Sequence, residues 1–107
     1  MKTLHLTLEK KWFDLIANGG KKVEYREDKP YWRSRLMENG RGKEFDIVRF
    51  RNGYGKDVPA MEVECKGINF LNARWITPKH GEVLNGDLIV ISLGKVLEIW
   101  NWSEDRA

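Results

Sequence analysis

Three residues in the stretch "GGKKVEYRE" have side chains that could act together on a ligand: Lys21, Glu24 and Arg26. An arginine presents paired donors that fit a phosphate or a base edge, and a glutamate can accept from a base amino group. A lysine directly after a glycine pair lies close to backbone N–H groups, and such a corner attracts anions. A lysine and a glutamate together could also serve acid–base chemistry. The competing reading is a surface ion pair between Glu24 and Arg26, worth less than about 1 kcal/mol.

These residues need a rigid element, and the sequence supplies one. Val23 and Tyr25 favour a strand over "KKVEYRE". Strand alternation puts Lys22, Glu24 and Arg26 on one face and Lys21, Val23 and Tyr25 on the other. Lys21 can therefore join Glu24 and Arg26 only from the turn, outside regular alternation. Ahead of it, Leu4, Leu6 and Leu8 alternate with polar residues as in a half-buried strand. Trp12, Leu15 and Ile16 then repeat at helical spacing, which predicts a helix over about Glu9–Asn18 stopped by Gly19 and Gly20.

Pro30 after Asp28-Lys29 marks a second helix, with Trp32 and Leu36 on one face and Arg33 and Arg35 adding basic surface. Asn39-Gly40-Arg41-Gly42 ends it. "FDIVRFRNGYG" reads as a strand and a glycine-rich turn, in which Arg49, Arg51, Asn52 and Tyr54 could clamp a phosphate backbone. A plain hairpin turn at Asn52-Gly53 is the alternative. In "AMEVECKGINF" the apolar phase shifts at Gly67, as at a bulge. Leu71 to Asn85 reads as irregular, and "GDLIVISLGKVLEIW" as a strand buried on both faces that Gly94 breaks or bulges. Trp12 and Trp32 fall at core spacing, Trp100 and Trp102 would cover the end of the fold, and Glu62 and Glu64 would face water.

Composition bounds the rest. At 107 residues, 41% hydrophobic and 33% charged with net charge +3, the chain reads as one folded domain, 1–107, with a modest basic excess. The single Cys65 and the separated His5 and His80 give no disulfide and no metal-ligand spacing, so neither metal nor cofactor is expected. No signal-peptide pattern and no membrane-length apolar run is evident, and the expected location is the cytoplasm. About five strands and two short helices near the N-terminus predict an α+β fold built as a small mixed β-barrel.

Gly19, Lys21, Glu24 and Arg26 fit G-x-K-x-x-E-x-R, and the chain resembles the ASCH domain family, of the type found in small bacterial and phage proteins. The lead-in "LHLTLEKKWFDLIANG", the "KPYWRSRL" helix, the "FRNGYG" turn and the closing "VISLG" extend the resemblance over nearly the whole chain. It implies a PUA-like pseudo-barrel with a cleft between its strands and the N-terminal helices. It also implies binding of single-stranded RNA, a nucleotide or a modified nucleoside. Gly19, Lys21, Glu24, Tyr25, Arg26, Tyr31, Arg49, Arg51, Asn52 and Tyr54 are the candidate contacts, with the aromatic rings as stacking surfaces.

The alternative is a small hydrolase, a ribonuclease or an amidohydrolase, with Lys21 and Glu24 as catalytic pair. One branch of the family removes the acetyl group of N4-acetylcytidine with a motif lysine, a threonine and a distant glutamate. Lys21 matches the lysine. Glu24 stands in place of the threonine, and a glutamate cannot replace a hydroxyl nucleophile without a change of mechanism. Glu82 is the carboxylate of the segment where the distant glutamate would fall. A third possibility is a partner in protein–protein contacts.

Overall fold

A computed structural model describes residues 1–105. Its elements run β1 (Thr3–Thr7), α1 (Lys10–Ala17), β2 (Val23–Glu27), α2 (Pro30–Leu36), β3 (Met37–Glu38), β4 (Arg41–Gly42), β5 (Ile47–Arg51), β6 (Ala60–Ile76) and β7 (Val83–Trp100). The fold is α+β. Five strands pair in the order β1-β5-β6-β7-β2, so the ladder is open, with β1 and β2 at its ends, where a barrel was expected. No helix among the described residues is long and apolar enough to cross a membrane.

The chain divides into two compact units. The first comprises Met1–Lys22, Phe45–Lys66 and Leu93–Ala107, and the second Val23–Glu44 and Gly67–Ser92. In the first unit β1 and β5 are parallel, with Leu4 opposite Val48 and Leu6 opposite Phe50. Parallel strands need a long crossover rather than a tight turn, and here residues 8–46 provide it. Antiparallel β6 continues the ladder, Phe50 facing Met61 and Val48 facing Val63. These residues are buried with Phe13 and Ile16 of α1, which project from one helix face at the i, i+3 spacing. The opposite sheet face carries His5, Arg49, Arg51 and Glu62.

In the second unit β2 runs antiparallel to β7, Glu24 opposite Ile91 and Arg26 opposite Ile89. Leu36, Ile68, Leu88, Ile89 and Ile91 are buried there. Leu88 and Ile89 are consecutive, so β7 is buried on both faces at its middle, as its apolar run predicts. Pro30 occupies the first turn of α2, where its missing N–H costs nothing.

Four sequence expectations are corrected. Asn39 and Gly40, with φ of 52° and 75°, do not merely end α2; they form the two-residue turn of a small hairpin, β3–β4. The segment 71–85 is mostly strand: β6 runs to Ile76 and β7 starts at Val83, joined by a turn in which Thr77 N donates to Glu82 O at 2.9 Å. Leu71, Trp75, Ile76 and Val83 are all exposed, so the apolar alternation that signals a half-buried strand is absent. Gly94 does not break β7. A Cβ there would lie 2.5 Å from Lys66 Cε and 2.9 Å from Glu64 Oε1, so the glycine permits a close strand approach. Glu62 and Glu64 do not simply face water, since Glu62 accepts from Arg49 Nη1 at 3.2 Å and Glu64 from Lys95 N at 2.8 Å.

Candidate functional site

The motif runs from the end of the first unit into the start of the second, and each part has its own setting. In the first, Gly19 adopts φ 84° just past α1, a conformation that favours glycine. Gly19 N donates to Ile16 O at 3.1 Å, Gly20 N to Asn18 Oδ1 at 2.9 Å and Lys21 N to Leu15 O at 3.0 Å. Leu93 N donates to Lys22 O at 2.9 Å. The turn therefore fixes the Lys21 backbone firmly. It does not form the expected anion-attracting corner, because these N–H groups are turned back onto α1. Lys21 is 3% exposed, and its Nζ lies 4.7 Å from the centre of the Trp12 ring.

In the second unit β2 begins at Val23, so Lys21 precedes the strand, as the alternation argument requires. Glu24, 6% exposed, and Arg26 point to the same face, and Arg26 Nη2 donates to Glu24 Oε2 at 2.8 Å. Arg26 Cζ stands 4.8 Å from the centre of the Trp32 ring. Its buried Nε has no acceptor within hydrogen-bonding distance among the described residues. Tyr31 packs edge-on to Trp32 with ring centres 4.9 Å apart, and its hydroxyl accepts from Arg35 Nη1 at 3.2 Å. Glu24, Arg26, Tyr31, Trp32 and Arg35 thus form one cationic-aromatic cluster with a buried carboxylate.

Tyr25 points away from that cluster by strand alternation. Burial, and secondarily the charge of Glu82, raise its phenol above the ordinary tyrosine value, because both disfavour phenolate. Glu82 itself lies in the β6–β7 turn, with its N–H on Thr77 Oγ1 at 2.9 Å.

The Arg49–Tyr54 segment lies wholly in the first unit. Asn52 serves as a tether: its Nδ2 donates to Leu8 O at 3.0 Å and its N to Pro59 O at 2.9 Å, closing the loop 52–59. Arg51 Nη2 donates to Gly55 O within that loop, and Tyr54 projects from it 87% exposed. Arg49 lies over Trp100, 4.5 Å from the ring centre. Trp102 anchors the C-terminal segment through Nε1 to Asp14 Oδ1 at 2.9 Å.

By their spacing in the sequence, Trp12 and Trp32 read as packing residues. Both are half-buried, and each offers a ring face to a motif cation. Their helical spacing to Phe13, Ile16 and Leu36 signals a core face. The available signal was different: each tryptophan lies on the helix immediately before or after the motif. Among the described residues no cluster of three His, Cys, Asp or Glu could hold a metal ion. Comparison of the chain with protein-family models, with curated proteins and with solved structures gives no match.

Proposed function

We propose that this chain is an ASCH-type protein of PUA-like fold that binds single-stranded RNA or a nucleotide through Lys21, Glu24 and Arg26. One observation carries the reading. The two buried charged residues among the described residues are Lys21 and Glu24, the lysine and glutamate of the motif. Removing an ionised group from water costs several kcal/mol even after relaxation, and packing alone gives no reason to incur that cost twice within four residues. Buried charged groups cluster where a ligand uses them. Arg26 on Trp32 and Lys21 on Trp12 add cations presented on aromatic faces, the combination that suits phosphates and unstacked bases. A PUA-like pseudo-barrel is compatible with an open five-stranded ladder, and a cytoplasmic location goes with this reading.

The same two buried charges support a second reading, a small hydrolase acting on RNA or a modified nucleoside with Lys21 and Glu24 as catalytic pair. The Glu24–Arg26 ion pair favours binding over this alternative, because one carboxylate oxygen is already held by a guanidinium.

Fluorescence anisotropy of end-labelled single-stranded RNA, at two salt concentrations and followed by gels of the same samples, separates the two. Binding to intact RNA that weakens with salt and in Lys21→Ala and Glu24→Gln supports the binding function. RNA shortened by the wild type and left intact by both variants supports the hydrolase. Wild-type protein that neither binds nor shortens RNA overturns the RNA reading.

A further inference from the structure

The first unit also contains a basic concavity of about 460 Å³ built from residues outside the G-x-K-x-x-E-x-R motif. His5 and Arg49 on its wall belong to a cross-strand row. His5 of β1 pairs with Arg49 of β5, and Arg49 pairs with Glu62 of β6, so the three share one level of the sheet. Arg51 follows on the same face two residues along. Lys56 and Val58 of the 52–59 loop, Ala60 of β6, Trp100 of β7 and Asn101 complete the lining.

The charges on this wall are unequally compensated. Arg49 is neutralised by Glu62 and placed over Trp100. Arg51 donates to a neutral carbonyl, that of Gly55, and has no carboxylate partner among the described residues. A guanidinium has five N–H donors, so most of those of Arg51 remain for a ligand. Lys56 is exposed and likewise has no ion-pair partner among the described residues. Two positive charges therefore face the concavity without an anion. The loop that carries Lys56 is pinned at both ends through Asn52, so the cation is presented on a defined scaffold.

We propose that this concavity is a phosphate-monoester site for a nucleotide, with Arg51 and Lys56 holding the phosphate and the Arg49–Trp100 stack lying beside the nucleoside. A phosphate monoester carries about −1.5 to −2 charges at neutral pH, which matches the two uncompensated cations. The volume falls in the range of small-ligand pockets, roughly 300–1,000 Å³, and exceeds what an inorganic anion alone requires. Arginine guanidinium and tryptophan indole are both groups on which a base can stack. The nucleotide identity of the ligand rests on the nucleic-acid reading above; the phosphate chemistry follows from the concavity itself.

The test is an NMR titration of ¹⁵N-labelled protein with AMP, adenosine and inorganic phosphate, read at the Trp100 indole N–H and the Arg51 Nε–H. AMP is expected to shift both signals saturably and more tightly than phosphate, and adenosine to leave them in place. Lys56→Gln, an exposed loop change that leaves the fold intact, should weaken AMP at least five-fold, and Arg51→Gln at least ten-fold. A 5′-phosphorylated oligonucleotide binding more tightly than its 5′-hydroxyl twin identifies a strand end as the source of the monoester; equal binding identifies the free nucleotide. Absence of AMP-dependent shifts, or AMP affinity unchanged in both variants, overturns the proposal. So does binding of phosphate with exclusion of AMP. None of these outcomes depends on Lys21, whose variants test the motif separately.

Discussion

Lys21 Nζ lies 4.7 Å from the centre of the Trp12 ring. The second motif cation repeats the arrangement in its own unit, with Arg26 Cζ 4.8 Å from the centre of Trp32. Each cation thus sits on a tryptophan from an adjoining helix. A cation on an indole face gains about 0.5–2 kcal/mol, depending on desolvation.

Replacing these platforms should therefore weaken binding more than it weakens the fold. Trp32→Leu is expected to reduce single-stranded RNA affinity by about ten-fold, roughly 1.4 kcal/mol, and Trp32→Phe by much less, because a benzene ring retains a π-face. Anisotropy titrations of the two variants, with circular dichroism to verify folding, check the order. Equal losses in both would show that Trp32 acts only through its bulk.

Tyr25 predicts a specific alkaline weakness. Its folded-state value is raised, by burial first and by Glu82 second, so above pH 10 the unfolded chain loses the phenol proton before the folded one. The native state then binds more protons than the unfolded state, and stability falls as pH rises through the folded value. Below pH 10 the residue has no effect of this kind. Urea unfolding of wild type and Tyr25→Phe at pH 8, 10 and 11 should give a difference that is constant up to pH 10 and shifts toward the variant above it. A constant difference throughout would contradict the assignment.

Two glycines should respond very differently to an added methyl group. A Cβ at Gly42 would fall 2.1 Å from Ile68 O and 2.8 Å from Ile68 C, both backbone atoms that cannot move without displacing β6. At Gly94 the nearest atom is the end of the flexible Lys66 side chain at 2.5 Å, with Glu64 Oε1 at 2.9 Å and Cβ at 3.1 Å. Gly94→Ala is expected to cost about 1–3 kcal/mol, in the usual range for overpacking, and Gly42→Ala more than that. Thermal unfolding of the pair decides the order.

Much of this architecture is legible in the sequence where polarity alternates against a buried face. Leu4 and Leu6, the α1 stripe ended by Gly19, Pro30 at the start of α2, and Val48, Phe50, Met61 and Val63 all occupy the positions their spacing predicts. The outer ends of β6 and β7 carry little pattern because, Leu84 apart, their apolar side chains are exposed, and backbone pairing leaves no trace in side-chain pattern. The parallel pairing of β1 with β5 is a long-range choice with no local signal. At the candidate site the motif gave Lys21, Glu24 and Arg26, but not their aromatic seats. Helical spacing marks a tryptophan as facing inward and does not record that one edge of its ring covers a cation. The cross-strand row of His5, Arg49 and Glu62 depended on register, which no stretch of sequence contains.

The central claim is that Lys21 is buried for a ligand and not for the fold, and Lys21→Met tests it most directly. Methionine keeps the apolar stem and a favourable contact with Trp12 while deleting the charge. Replacing a buried ion pair as a whole by apolar side chains is often neutral or stabilising, whereas removing one member can cost about 3–5 kcal/mol. Lys21→Met is expected to remain folded by circular dichroism, while single-stranded RNA affinity falls at least ten-fold. A variant destabilised by about 3 kcal/mol or more that binds RNA as the wild type does would contradict it, and would make Lys21 a structural ion.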